Sequence, residues 1–202
     1  MPATGPDRFA LFVDRFTRLI DQGLAEPDIL KNGAVLLADL VGQDDWLPDA
    51  WAQPDPARYQ QYLLHLDPAA RFSVVSFVWG PGQATPIHDP MVWGLVGVLR
   101  GAETSQAYTW RDEAFTTDGL PQRLAPGAVE AISPRLGDIH QVANAVPDQI
   151  SVSIHVYGAD IGTVRRSIFD RDGQPRRFVS GYANRPATSP APALAQNAEA
   201  LP

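Results

Sequence analysis

Two stretches of this chain carry histidines in settings suited to binding a metal ion. The first, Pro81 to Gly101, reads P-G-Q-A-T-P-I-H-D-P-M-V-W-G-L-V-G-V-L-R-G and sets His88 between glycine-marked turns, just ahead of an apolar run. The second, Pro134 to Asn144, reads P-R-L-G-D-I-H-Q-V-A-N and places His140 inside a G-x-x-H-x-x-x-N spacing. Imidazole nitrogens suit iron, copper, nickel or zinc, and histidines on two strands that are neighbours in space can face a single ion. A third group lies in I-S-V-S-I-H-V-Y, residues 150–157. If this is a strand, Ser153, His155 and Tyr157 share one face while Val152, Ile154 and Val156 share the other. A polar row on a buried strand has to be hydrogen-bonded, either as a relay behind a reactive site or as a ladder that holds the sheet in register.

Position 90 breaks the simplest metal pattern. Two ligands from one strand call for H-x-H, because alternate residues point to the same face. Here His88 is followed two residues later by Pro90, which has no donor atom. Asp89 is a poor substitute, since its carboxylate should point away from the His88 ring.

The scaffold around these groups can be read from hydrophobic periodicity. Phe9, Phe12, Val13, Phe16, Leu19 and Ile20 repeat at helical spacing, and a second helix starting near Pro27 uses Ile29, Leu30, Leu36, Leu37, Leu40 and Val41. This helical segment, about residues 6–42, should cover one face of a β-barrel. The strands are expected to begin with Arg71 to Trp79, after a short segment from Ala57 to Leu66. Met91 to Arg100 and Ala102 to Trp110 come next, broken at Gly101, and a turn is expected around Asp118-Gly119. Val129 to Ile132, Asp138 to Val142, Ile150 to Tyr157, Thr163 to Asp170 and Arg177 to Tyr182 complete the set. The segment 183–202, rich in Ala, Pro and Asn, is expected to be a disordered tail after a single domain spanning 1–182.

Composition narrows the function classes. At 202 residues with formal net charge −7 and 16 basic residues that are scattered rather than striped, no nucleic-acid surface is expected. There is no apolar run of spanning length and no signal-peptide layout, so neither a membrane nor a secretory route is expected and a cytoplasmic location is inferred. Cysteine is absent, which removes disulfides, thiolate metal sites and a cysteine nucleophile. Nineteen prolines and sixteen glycines fit an all-β core of short strands.

The two histidine stretches resemble the two cupin motifs, which implies a double-stranded β-helix, or jelly-roll barrel, behind N-terminal helices. The resemblance narrows to the thiol dioxygenases of the cysteine dioxygenase group. P-I-H-D followed by an aromatic and glycine-rich strand, G-D-I-H with a downstream Asn144, and S-x-H-x-Y at Ser153, His155 and Tyr157 occur in the family's order over roughly Tyr59 to Arg177. The family holds ferrous iron, Fe(II), with three histidines and adds both atoms of O2 to a small thiol, giving a sulfinate. The resemblance therefore implies His88 and His140 as metal ligands, and Ser153, His155 and Tyr157 as a relay beside the substrate. Gln60-Gln61 and Arg165-Arg166 are similar to the bacterial 3-mercaptopropionate dioxygenase branch, which implies Gln61 and Arg166 as groups that bind the substrate carboxylate. The chain departs from the family at Pro90, which predicts weakened iron binding. Three readings stay open: an impaired thiol dioxygenase, a paralogue with a coordination position filled by water or an anion, and a metal-free cupin that binds or senses a small molecule.

Overall fold

The computed structural model describes residues 6–137, 139–170 and 173–185. Among them, helices α1 (Pro6–Asp21) and α2 (Glu26–Val41) precede eleven strands. In chain order these are β1 (Gln60–Leu66), β2 (Ser73–Trp79), β3 (Ile87–Asp89), β4 (Gly94–Arg100), β5 (Glu103–Arg111) and β6 (Ala114–Leu124), then β7 (Val129–Ile132), β8 (His140–Asn144), β9 (Ser151–Tyr157), β10 (Arg166–Phe169) and β11 (Pro175–Phe178). One antiparallel sheet runs β1-β2-β9-β4-β7 and the other β11-β10-β3-β8-β5-β6. The architecture is the all-β cupin barrel, the double-stranded β-helix, with two helices added at the front of the chain.

The helices lie on the outer face of the first sheet. Phe12, Phe16, Leu30, Leu37 and Leu40 are buried against Val74 and Val78 of β2, Leu95 and Leu99 of β4, and Val152, Ile154 and Val156 of β9. Alternate residues of the same strands (Val75, Phe77, Trp79, Val96 and Tyr157) form a second cluster inside the barrel, together with Ile132 and Val142. This division is the period-two pattern of a strand buried on both sides. Close approach of α2 to β4 depends on Gly97, where an added Cβ would sit 2.9 Å from the Leu37 Cγ.

Gly101 makes the corner between the sheets. It adopts φ 70° and abuts the Ile150 carbonyl, 2.8 Å from where a Cβ would be. Only glycine adopts that backbone without cost. As a result β4 and β5, which are consecutive in sequence, belong to different sheets.

Three expectations are corrected. The segment 60–66 is itself a strand, β1, paired with β2 and carrying a register shift between Leu63 and His65; Q-Q-Y-L-L-H-L does not alternate cleanly, so its strand character is hidden. The hairpin between β5 and β6 closes at Asp112 and Glu113, both at positive φ, the backbone of the turn that matches strand twist. Asp118-Gly119 therefore lies within β6, at a bulge where Ser105 pairs Gln122 and Ala107 pairs Asp118. Finally, the chain stays attached beyond residue 182. The Ala183 amide donates to the Gln61 carbonyl at 2.8 Å, and Asn184 bonds both backbone groups of Leu63 at 2.9 Å. The remainder of the expected tail, 186–202, lies outside the described residues, as does Asp138.

Leu37, fully buried at the helix–sheet contact, should cost about 2–5 kcal/mol when replaced by alanine. Gly97→Ala should destabilise the parent chain and do so less in the Leu37→Ala background, because the colliding Cγ is then gone. Urea midpoints of the four proteins measure this, and equal costs in both backgrounds would disprove the contact.

Candidate functional site

The site begins with a three-residue strand. β3 is held between β10 and β8, with His88 opposite Ile168 on one side and His140 on the other. It stops at Asp89 because Pro90 has no N–H to continue a ladder. The next residue, Met91, turns away at φ 60° and is exposed. The Nδ1 of His88 donates to the Pro86 carbonyl at 3.1 Å. A carbonyl can only accept, so this contact selects the tautomer whose Nε2 carries the free lone pair. The rings of His88 and His140 have centroids 4.6 Å apart and stand nearly edge-on, at 79°. Both line one cavity. Burial, reinforced by the neighbouring His140 and Arg166, holds the His88 pKa well below its ordinary range, and burial lowers His140 to about 4. Both rings are therefore neutral at pH 7.

β9 carries the polar row on its inner face. Ser153 Oγ lies 2.8 Å from His155 Nε2, and His155 Nδ1 lies 2.9 Å from the Tyr157 hydroxyl. With both ring nitrogens engaged, His155 has no free lone pair to offer a metal. Burial, with help from His140 and Arg166, lowers its pKa to about 3. Burial also raises the Tyr157 phenol, an effect that Arg166 opposes. Tyr157 fits tightly over Gly94, where an added Cβ would come within 2.9 Å of the ring.

A cation faces the same cavity. Arg165 is exposed while Arg166, at the start of β10, is only 3 % exposed. Its guanidinium donates to Ser180 Oγ at 2.6 Å and lies over the Phe178 ring, 4.8 Å from the centroid. Its Nε has no partner, and none of the ion pairs among the described residues includes it. Gln61 of β1 reaches the same Ser180 at 3.2 Å and the Gly181 carbonyl at 3.0 Å. The segment after β11 thus crosses back over β1 and ties Gln61 to Arg166. Both line the cavity, with Tyr59, Phe77 and Trp79 forming an aromatic wall.

The donor set falls short of a three-nitrogen iron site. Among the described residues no group of three or more His, Cys, Asp or Glu side chains is placed to hold a metal ion. Asp89, as its position predicts, is turned away and accepts the Ser167 amide at 2.9 Å. Pro90 does not line the cavity. Glu130 does, but burial raises its pKa, an effect that the Ser105 hydroxyl opposes. Two imidazoles without a third protein ligand do not define the facial geometry that such iron centres use.

The cysteine dioxygenase type I family model matches residues 33–172, a span that contains both histidine strands, the Ser-His-Tyr row and Arg166. The chain belongs to the cysteine dioxygenase type I family. Solved structures match this chain at low identity. One is a conserved protein with a double-stranded β-helix domain from Klebsiella pneumoniae, 18% identical, covering 58% of this chain and 91% of that one at a TM-score of 0.44. Another is a cupin superfamily protein from Desulfitobacterium hafniense, 16% identical, covering 58% of this chain and 94% of that one at a TM-score of 0.43. Among the described residues no helix is long and apolar enough to cross a membrane.

Several residues that line or support the cavity had no signal in the sequence. Ser180 sits far along the chain from Gln61, and nothing local marks it. Tyr59, Phe77 and Trp79 read as ordinary core aromatics. Glu130 could have been found from its position in an otherwise apolar strand edge, V-E-A-I.

The neutral cavity histidines fix a pH dependence. Below their ordinary pKa of 6.5 the unfolded chain takes up protons that the buried rings of His140 and His155 refuse. Stability should therefore fall steadily as pH drops from about 6.5 to about 4. Proton NMR should find neither ring titrating between pH 5 and 8; a midpoint near 6.5 for either would contradict the buried placement.

Proposed function

We propose that this cavity binds a small carboxylated thiol, 3-mercaptopropionate or cysteine, and that the dioxygenase chemistry of the family, Fe(II) with O2 giving a sulfinate, is impaired here by Pro90. The observation that carries the reading is Arg166. A guanidinium buried to 3 % exposure, in no ion pair among the described residues and with Asp89 acting on it only at longer range, is costly to hold. An incoming carboxylate offsets that cost by accepting two parallel N–H donors.

In this reading Gln61 and Ser180 steady the guanidinium, and Tyr157 presents its hydroxyl to the far end of the ligand. His155 and Ser153 hold that hydroxyl from behind. The aromatic wall excludes water, which strengthens each of these polar contacts. His88 and His140 are the ligands that remain for a metal. Arg166 recognises the acid and not an amine, so the clamp alone does not separate 3-mercaptopropionate from cysteine.

The incomplete donor set favours a second reading, a metal-free member of the family that binds or senses the same class of acid. Iron analysis of the purified protein separates the two, since a stoichiometric metal would sink the metal-free reading.

Arg166→Ala should weaken binding of 3-mercaptopropionate by about 2–5 kcal/mol, roughly 30-fold or more, and leave cysteamine, which has no carboxylate, nearly unchanged. Calorimetric Kd values for both thiols decide this, and equal losses would reject the clamp.

Pro90→His should raise iron content from sub-stoichiometric towards one per chain, because alternate residues of an extended strand reach the same ion. Thiol-dependent oxygen uptake should appear with it. A proline form that already holds full iron and oxidises thiols would mean that Pro90 impairs nothing.

A further inference from the structure

Behind the Ser153–His155–Tyr157 row lies a carboxyl that none of the roles above uses. Glu103 opens β5 and is 0 % exposed. Its backbone pairs with Asn144 of β8 and Leu124 of β6, and its side chain reaches β9. Oε1 accepts the Ser151 hydroxyl at 3.2 Å. The Ser153 hydroxyl also lies against the carboxyl, and the Trp79 indole N–H beside it donates to Ser153 Oγ at 3.4 Å. Oε2 has no hydrogen-bond partner among the described residues. An ionised carboxylate with a bare oxygen in a dry interior is costly, whereas the neutral acid tolerates it. Burial accordingly pushes this group up to about 8. Its titratable neighbours are Glu130 of β7, whose proximity adds to the rise, and His155 and Tyr157 of β9.

The direction of the hydrogen bonds along the row is constrained. A neutral imidazole has one donor nitrogen and one acceptor, so the hydroxyls on either side of His155 must point the same way. If Glu103 is the neutral acid, it donates to Ser153, Ser153 donates to His155 Nε2, and His155 Nδ1–H donates to the Tyr157 oxygen. Tyr157 is then free to donate its own hydrogen into the cavity. If Glu103 is ionised, Ser153 donates back to it, His155 carries its hydrogen on Nε2, and the Tyr157 hydroxyl donates to Nδ1. The cavity then meets only oxygen lone pairs. The two states differ by one proton overall, released from Glu103 to solvent, and by which nitrogen of His155 is protonated.

We propose that Glu103 is a positioning residue at the inner end of the row: holding its proton, it sets Tyr157 as a hydrogen-bond donor to the cavity ligand, and losing it turns Tyr157 into an acceptor. The consequence for function rests on the reading of Tyr157 as a ligand-facing group. A donor at that point favours an anionic or lone-pair-rich ligand end such as a thiolate, and an acceptor repels it. Ligand affinity is thereby tied to a group that never touches the ligand.

The test reads His155 directly. In the full chain labelled with 15N-histidine, long-range 1H–15N spectra distinguish the two tautomers of each of the four histidines. At pH 6.5 His155 should carry its hydrogen on Nδ1, and it should change to Nε2 as pH rises through about 8. His88, pinned by the Pro86 carbonyl, should not change and serves as the internal control. Glu103→Gln, which cannot ionise, should abolish the step between pH 6 and 10. A His155 tautomer that stays constant over this range in the parent chain, or a step that persists in Glu103→Gln, overturns the proposal; the parent titration decides it even if the variant fails to fold. Kd for malonate, which presents an anionic end to Tyr157 and has no group titrating near pH 8, is measured alongside. A tautomer step without malonate binding rejects the proposed ligand class and leaves the role of Glu103 standing. In the parent chain binding should weaken across the same pH range, and a pH-independent Kd would reject the coupling of Glu103 to the ligand.

Discussion

Strand β9 is buried along its whole length, and its two faces do unrelated work. Val152, Ile154 and Val156 pack under the helices, while Ser153, His155 and Tyr157 line or back the cavity. A slip of one residue in its pairing with β2 or β4 would put three polar side chains into the helix interface and three branched aliphatic side chains into the site. The register on both sides, Val75 opposite His155 and Val96 opposite His155, is therefore both the core of the fold and the reason the site exists. Gly94 and Gly97 serve the same end on β4, one admitting the Tyr157 ring and the other admitting Leu37.

The cavity is electrostatically one-sided. Desolvation keeps His88, His140 and His155 neutral, so Arg166 contributes the positive charge at the site. The same burial lowers the Arg166 pKa, with the nearby phenols and Asp89 opposing it. Carboxyls in and behind this region, Glu130 and Glu103, are pushed towards their neutral forms. Burial thus drives acids and bases alike to neutrality and leaves a guanidinium, the group that resists deprotonation most strongly.

Pro90 stands at the point where fold and chemistry conflict. Proline ends β3 one residue short of a second inward-facing position, and the chain leaves through Met91 in a left-handed conformation. The barrel tolerates this because β3 is already secured by β8 and β10, and because Asp89 uses its side chain to take the Ser167 amide. The cost falls on the donor set, not on the sheet. Family membership and an incomplete metal site coexist for that reason.

Elements with a local signal were legible in the amino-acid sequence before any partner was known. The alternation of β9, the two histidine motifs, the amphipathic helices and the lack of a donor at position 90 are all written in residues close together in the chain. Gln61 and Arg166 were singled out through a family resemblance that orders motifs along the sequence, and the folded chain brings both to the cavity. Whatever depends on distant partners was settled by the folded chain instead. β1 became a strand by pairing with β2 across a bulge, and the Asp118-Gly119 signal was overridden because Asp112 and Glu113 had already closed the hairpin. Ser180 joined Gln61 to Arg166 only because the chain after β11 folds back over β1. Glu103 came to lie behind Ser153 only because Gly101 turns the chain from one sheet into the other. Periodicity records which face of a strand a residue occupies, but not which other strand lies against that face, since that is fixed by long-range packing.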